Sequence, residues 1–245
     1  MLTLIVATVG RPTLTKAVAS AVERLPISEV VIVPAPDVII PELDTDAVIR
    51  VLGPTQNLYA AWNLAVTVAS GTYVCFLNDD DRLEGPPLDA SWLHHGGPVN
   101  LQFEAEGRRT RASISAARAN GRVAAVDLFH ANRAGNINSY LWPRALVQRI
   151  GPFEESYRVR GDIEWMQRII GTDLEVLWLT HPTYVQHRGD DRLSSFSREP
   201  RGQITEARRV LKRMRETHGR FSATWTLGNA WVLSMRLRYL AHRST

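Results

Sequence analysis

The chain has 245 residues, of which 44% are hydrophobic and 22% charged, a composition that is ordinary for a globular protein and excludes general disorder. This length suffices for one large α/β domain with a helical appendage. The single cysteine, Cys75, excludes an intrachain disulfide, and no stretch reaches the roughly 18 uninterrupted apolar residues of a membrane-spanning helix. The N-terminal residues lack the basic region and cleavage site of a secretion signal, so we expect a cytoplasmic protein.

Charge is distributed unevenly along the chain. The net charge is +4, but residues 201–245 contain ten Lys or Arg and two Glu, which leaves 19 basic and 23 acidic residues before them. We therefore divide the chain into a body, 1–198, and a basic C-terminal extension, 199–245. Amphipathic helices are predicted at 204–218 and 225–242. They are suited to packing on the body, on a partner subunit of a homodimer, on the inner face of a membrane, or on a nucleic acid.

Strands and helices alternate in the first half of the chain, which is typical of βαβ units and of an α/β fold with a mainly parallel sheet. In such sheets ligands bind beyond the carboxyl ends of the strands. The predicted strands are 2–8, 29–33, 48–52, 73–77, 99–104, 123–129 and 174–179. The predicted helices of the body are 13–24, 58–69, 143–150 and 163–170.

Three carboxylates follow the apolar strand 73–77 directly. Asn78 is followed by Asp79, Asp80 and Asp81, and adjacent carboxylates repel one another unless a divalent cation or a cationic ligand neutralises them. The alternative is a solvated acidic turn. The buried strand before the cluster and a second acidic group downstream favour a metal site.

The order of several motifs resembles that of the family 2 glycosyltransferases of GT-A fold. The matching stretches cover about residues 1–195: Thr-Val-Gly-Arg-Pro at 8–12, Asn-Leu-Tyr-Ala-Ala-Trp-Asn-Leu-Ala at 57–65, Ala-Ser-Gly-Thr-Tyr-Val-Cys-Phe-Leu-Asn-Asp-Asp-Asp at 69–81, Gly-Pro-Phe-Glu-Glu at 151–155 and Gly-Asp-Ile-Glu-Trp-Met-Gln-Arg at 161–168. The resemblance implies an inverting, metal-dependent transfer of a sugar from a nucleotide-sugar donor to an acceptor hydroxyl.

The resemblance also implies a Mn²⁺ or Mg²⁺ ion on the donor diphosphate. The acidic cluster looks like the DXD-type motif of the family. Asp80 is then the direct metal ligand, Asp81 the alternative ligand, and Asp79 a contact to ribose or to metal-bound water. His187 is similar to the downstream residue that closes over the pyrophosphate, where a neutral imidazole could be a further ligand.

The implied donor-binding residues come from several parts of the chain, and a UDP-sugar is the donor we expect. The first turn, which lies under the nucleotide in the family, contributes Thr8, Gly10 and Arg11. The other donor-binding candidates are Asp37 after the second strand, Asn57 and Asn63 around the helix 58–69, and Arg188 and Arg192 for the phosphates.

Asp162 corresponds to the catalytic base of the family, which accepts the proton of the attacking hydroxyl. The Glu that normally precedes it is replaced by Gly161, and Glu164 is the candidate substitute. An Asp before a helix can also be only an N-cap. Asn138, Ser139 and Trp165 are the candidates on the acceptor side, and the acceptor is left open among a glycan, a lipid-linked sugar, a protein and a modified nucleic-acid base.

Two other classes compete with the transferase. A nucleotidyltransferase-like enzyme also places Asp clusters around a metal and a nucleotide, but the turn at 9–12 lacks the Gly-rich pattern that such enzymes use. A non-catalytic module that binds nucleotide sugars would retain its function when Asp162 is replaced by Asn.

Overall fold

The computed structural model describes residues 1–106, 108–109, 137–169, 174–187, 199–219 and 223–243. The strand predicted at 123–129 and the candidate residues Arg188 and Arg192 lie outside the described residues.

Strands and helices alternate in the described part as follows: β1 Leu2–Thr8, α1 Leu14–Val22, β2 Ile27–Pro34, β3 Val48–Val51, α2 Leu58–Val68, β4 Tyr73–Asn78, β5 Arg82–Glu84, β6 Val99–Ala105, β7 Arg108–Arg109, β8 Tyr140–Pro143, α3 Arg144–Ile150, α4 Gly161–Gln167, β9 Leu177–Gln186, α5 Pro200–His218 and α6 Ala223–Arg243. Short 3₁₀ helices cover Ser91–His94 and Ile137–Ser139.

The strands form one mixed sheet in the order β3-β2-β1-β4-β8-β6-β9-β5, and β7 pairs with β6. The four strands from β3 to β4 are parallel. Beyond β4, the pairs β4/β8, β8/β6 and β9/β5 are antiparallel, and the pair β6/β9 is parallel. The predicted α/β fold with a largely parallel sheet is confirmed.

The central strands are buried on both faces because apolar residues occupy both sets of alternating positions. In β4, Tyr73, Cys75 and Leu77 face the core under α1, whereas Val74 and Phe76 face the core under α2. Burial raises the pKa of the Cys75 thiol well above its ordinary value, as expected for an inert core cysteine.

Parallel pairing brings distant residues together at one edge of the sheet. Leu2 pairs with Tyr73, and the register continues to Ala7 opposite Asn78. The next residues, Thr8 and Asp79, therefore meet at the carboxyl ends of β1 and β4, although they are 71 positions apart. This edge carries the cleft described below.

The helices α5 and α6 pack on each other through Ile204, Ala207, Val232 and Met235. The α5 helix also contributes buried residues to the core of the body, through Val210 and Met214. Across the part of the chain that the structure describes, no helix is sufficiently long and apolar to span a membrane. The division of the chain at residue 198 stays a prediction.

Candidate active site

A cleft of about 360 Å³ lies at the carboxyl ends of β1 and β4. One wall comes from these strands and their following turns, and the other comes from the segment that leads into α4. The predicted site residues that line this cleft are Thr8, Arg11, Asn57, Asp79, Asp80, Asn138 and Asp162. Gly10, Asp37, Asn63, Asp81, Ser139, Glu164, Trp165 and His187 do not line it.

Asp79 fixes the turn after β1. One of its carboxylate oxygens accepts hydrogen bonds from the Thr8 hydroxyl at 2.6 Å, from Val9 N at 3.0 Å and from Arg11 N at 3.5 Å. The other oxygen lies 3.3 Å from Arg11 Nε. The Asp79 carbonyl accepts a bond from the Thr13 hydroxyl at 2.6 Å. Asp79 is 5% exposed, so its main role in this structure is to hold the two turns together.

Asp80 is the carboxylate of the cluster that faces the cleft. Its side chain is 14% exposed, and one oxygen lies 3.7 Å from Arg11 Nε. Arg11 is therefore within ion-pair distance of both Asp79 and Asp80. This cation offsets the repulsion between the neighbouring carboxylates.

Asp81 points into the protein and not into the cleft. It accepts hydrogen bonds from Asn78 Nδ2 at 2.6 Å, from the Tyr184 hydroxyl, and from His187 N at 2.8 Å. Burial raises its pKa to about 6, although these hydrogen bonds oppose the shift. Both carboxylate oxygens are thus used to join the end of β4 to the end of β9, which corrects the assignment of Asp81 as an alternative metal ligand.

The His187 imidazole contacts a carboxylate outside the acidic cluster. Its Nδ1 lies 2.9 Å from Glu106 Oε2, and the neighbouring residue that lines the cleft is Gln186. Within the described ranges, no group of three or more His, Cys, Asp or Glu side chains could hold a metal ion by itself.

Asp162 lies on the opposite wall, in the first turn of α4. Its Oδ1 accepts bonds from Ile163 N at 2.8 Å and from the Tyr59 hydroxyl at 3.5 Å. Burial raises the pKa of Asp162, whereas the charge of Arg160 and the hydrogen bonds lower it. A raised pKa makes this carboxylate a stronger proton acceptor than an ordinary surface Asp.

The structure explains why glycine precedes Asp162. A Cβ atom at Gly161 would lie 2.7 Å from the Tyr59 ring, and Gly161 N donates a hydrogen bond to the Tyr59 hydroxyl at 2.8 Å. The Glu of the usual Glu-Asp pair therefore has no space here. Tyr59, which supports both residues, was not among the candidates, because these partners lie more than 100 positions away in the sequence.

Glu164 and Trp165 are structural residues, which corrects their assignment to the catalytic and acceptor sites. Glu164 is 1% exposed and accepts hydrogen bonds from Arg168 Nε at 3.1 Å and from Arg168 Nη2; Arg213 lies 3.7 Å away. Trp165 is fully buried and donates its indole N–H to Gly151 O at 2.8 Å. Successive helical residues are rotated by about 100°, so Glu164 leaves α4 about 160° away from Asp162. Trp165 lies only about 60° from Asp162 around the helix, but its ring is buried in the core.

Asn57 and Asn63 both hold the segment 153–157 against α2. Asn57 caps α2 by accepting bonds from Tyr59 N and Ala60 N, and it donates to the carbonyls of Glu155 and Tyr157. Asn63 bonds to the N–H and the carbonyl of Phe153 on the far side of α2. Asn57 borders the cleft, but Asn63 is not placed to bind the donor.

The remaining candidates lie near the cleft without lining it. Gly10 has φ +80°, a conformation that favours glycine, and its N–H donates to the Thr8 hydroxyl at 2.9 Å. Asp37 is exposed in the loop after β2. Ser139 is fully buried in the 3₁₀ helix next to Asn138. Gly10 therefore shapes the turn, and the assignment of Asp37 to donor binding is not supported by its position.

A contact that sequence reasoning missed joins α5 to the wall that carries Asp162. The Glu206 carboxylate accepts three backbone hydrogen bonds, from the N–H groups of Arg158 at 2.6 Å, Val159 at 2.9 Å and Arg160 at 3.0 Å. In the sequence Glu206 is only one acid within a basic helix, and nothing in the local pattern indicates a partner nearly 50 positions away.

The architecture is that of the GT-A fold, with the cleft at the carboxyl ends of the parallel strands and the acidic cluster at its edge. The predicted fold family is thus confirmed at the level of the fold. No protein-family model matches the chain, and no curated protein matches it either.

Solved structures of glycosyltransferases share this fold. TarS of S. aureus, residues 1–349, aligns with a TM-score of 0.63 and 12% identity over 97% of this chain and 72% of that fragment. The same protein in complex with UDP-GlcNAc gives a TM-score of 0.62 and 13% identity over 98% and 72%. The mannosyltransferase PcManGT from Pyrobaculum calidifontis, in complex with GDP-Man and Mn²⁺, aligns with a TM-score of 0.57 and 14% identity over 99% of this chain and 74% of PcManGT as solved.

Proposed function

We propose that this protein is a glycosyltransferase that moves a sugar from a nucleotide-sugar donor to an acceptor hydroxyl with inversion. The observation that carries the proposal is the composition of the cleft: Arg11, Asp79 and Asp80 lie on one wall, and Asp162 lies on the other. Support comes from the fold neighbours, which were solved with UDP-GlcNAc and with GDP-Man.

In the proposed donor site, the diphosphate lies against the turn after β1. Arg11 would pair with phosphate oxygens, and Asp79 would keep the turn in place through its bonds to Thr8 and to the backbone N–H groups. The identity of the nucleotide stays a prediction, with a UDP-sugar as the expected donor.

The residues present fit a divalent cation that is shared with the donor. Mg²⁺ and Mn²⁺ sites in nucleotide enzymes often use one or two carboxylates together with phosphate oxygens and water, and Asp80 is the carboxylate that faces the cleft with some exposure. Asp80 would hold the ion. When bound, the ion would stabilise negative charge on the leaving diphosphate.

Asp162 is the proposed general base. It would accept the proton of the acceptor hydroxyl while that oxygen forms a bond to the anomeric carbon and the bond from this carbon to the diphosphate breaks. Tyr59 orients the carboxylate from the protein side. Because the nucleophile attacks on the face opposite to the leaving group, the product has inverted configuration.

A thermal-shift panel of nucleotide sugars, each with and without Mn²⁺, tests donor binding. A ligand that binds the folded state raises the melting temperature, so we expect one donor class to stabilise the protein and Mn²⁺ to enlarge the shift. Asp80→Asn should abolish the enlargement by Mn²⁺.

The base is tested with the donor found in that panel. Asp162→Asn should reduce the release of nucleoside diphosphate by at least about a hundredfold, within the range for loss of a general base, while the donor-dependent thermal shift remains. Unchanged release in Asp162→Asn would contradict the transferase mechanism and favour a module that only binds nucleotide sugars.

A further inference from the structure

The α6 helix exposes an apolar stripe to solvent. Leu233, Leu237 and Leu240 are 55%, 58% and 58% exposed, and their spacing of four and three residues places them on one face of the helix. Scattered exposed leucines are common, but three on one helical face form a continuous apolar strip.

This stripe does not serve the packing of the helical hairpin. The side of α6 that contacts α5 is formed by Val232 and Met235, which are buried against Ile204 and Ala207. At about 100° per residue, these positions lie roughly opposite to Leu233 and Leu237. Among the α6 residues whose side chains the structure describes, one apolar side packs on α5 and a second is largely exposed to solvent.

By sequence, the Asp, Glu, Lys and Arg residues of α6 carry positive charge only. The sequence of α6 contains three Arg and no Asp or Glu, and that of α5 contains six Lys or Arg and two Glu. Arg236 is exposed and adjoins the stripe, one residue before Leu237. A basic helix that presents leucines is suited to lying in the interface of a bilayer that contains anionic lipids.

We propose that the outer face of α6, formed by Leu233, Arg236, Leu237 and Leu240, docks on the surface of an anionic phospholipid membrane. A nucleic acid would be attracted by the arginines but would gain nothing from the leucines. A second copy of the chain would bring the arginines of two α6 helices together without acidic residues on that helix to offset them. The proposal does not depend on the transferase activity.

The test is co-sedimentation of the full chain with vesicles of phosphatidylcholine alone and of phosphatidylcholine with 30% phosphatidylglycerol. We expect binding to the anionic vesicles and weaker binding as salt is raised. Leu233→Ser, Leu237→Ser and Leu240→Ser combined should lower the partition coefficient at least about tenfold. Arg236→Ala alone should lower it about fivefold.

A matched control replaces exposed apolar residues elsewhere. Val48 and Val51 on the edge strand β3 are 59% and 52% exposed, and replacing both with Ser should leave vesicle binding unchanged. The melting temperature of the triple Leu variant should match that of the wild type, because the leucines are outside the folded core.

Three results would overturn the proposal. The first is an absence of binding to the anionic vesicles. The second is equal binding of the wild type and the triple Leu variant, which would indicate attraction by charge alone, as for a nucleic acid. The third is a leucine-dependent dimer in light scattering that is unaffected by vesicles, which would assign the stripe to a second copy of the chain. The donor-dependent thermal shift is a separate measurement, so none of these results bears on the proposed enzyme activity.

Discussion

The contact between Glu206 and the segment 158–160 predicts that the C-terminal hairpin supports catalysis. Three N–H groups of this segment converge on one carboxylate, and Asp162 follows only two residues later. We expect Glu206→Ala to loosen the segment and to displace Asp162, although Glu206 itself does not line the cleft.

The loss of stability expected in Glu206→Ala follows from the number and kind of hydrogen bonds that Glu206 accepts. A hydrogen bond to a charged group contributes about 1.5–3 kcal/mol when shielded, but the Glu206 carboxylate is partly exposed and water can replace it at some of the N–H groups. We therefore expect a loss of about 2 kcal/mol from the free energy of unfolding, which corresponds to a fall of about 4–8 °C in the melting temperature for a chain of this size.

The catalytic effect should exceed the effect on donor binding. A displacement of about 1 Å at a catalytic group can reduce the rate by about a hundredfold, whereas the donor contacts at Arg11 and Asp80 lie on the other wall. We expect kcat for nucleoside diphosphate release to fall about ten- to a hundredfold, with the donor Kd changed less than twofold. Glu206→Gln keeps one acceptor oxygen and should retain intermediate activity.

Hydrogen exchange directly measures the loosening of residues 158–160, which is the expected cause of the lower kcat. The amide protons of residues 158–160 should exchange faster in Glu206→Ala than in the wild type. Glu216→Ala is the matched control, because Glu216 lies on the same helix and forms only surface ion pairs with Lys212 and Arg213. The reasoning is refuted if Glu206→Ala exchanges faster at these amides and yet keeps the wild-type kcat.

Two further predictions concern the buried carboxylates outside the cleft. Glu164→Gln should lower the free energy of unfolding by about 2 kcal/mol, because the buried carboxylate loses its ion pairs with the partly exposed Arg168 and Arg213; urea denaturation measures this. The kcat for nucleoside diphosphate release, measured well below the melting temperature, should be unchanged, whereas a loss of turnover in the folded variant would restore Glu164 to the catalytic site. For Asp81, burial raises the folded-state pKa to about 6, above the ordinary Asp pKa of about 3.9, so the folded state binds the proton more tightly. The resulting stability contribution is fully present below about pH 4 and is lost as the pH rises through about 6. The loss is about 3 kcal/mol, and a series of urea denaturations should show this decline in the wild type and not in Asp81→Asn; equal pH profiles would contradict it.

Local sequence determined the elements that build the cleft. The run of apolar residues in 73–77 followed by acidic residues predicts a buried strand that ends at a polar edge. The strand and its polar end can be predicted because each depends only on residues that are neighbours in the sequence. The alternation of such strands with helices predicts parallel pairing and hence that Thr8 and Asp79 share an edge. In the structure the Thr8 hydroxyl donates a hydrogen bond to Asp79, and Arg11 and Asp162 line the same cleft. The functional roles of these residues stay predictions.

The direction of each carboxylate was decided only by the tertiary structure. Asp79, Asp80 and Asp81 are chemically identical in the sequence, and partners more than 60 positions away separate their roles: Asp79 accepts bonds from the turn after β1, and Asp81 accepts bonds from Tyr184 and from His187 N.

The direction of the acidic side chains on the helices also could not be predicted from the sequence. Asp162 and Glu164 are two positions apart, and the rotation of α4 turns one toward the cleft and the other toward Arg168. Glu206 acquires its partners only when α5 packs on the body. The sequence by itself determined which residue types stand at the edge of the sheet, whereas the long-range packing decided which of their oxygens remain available to a ligand.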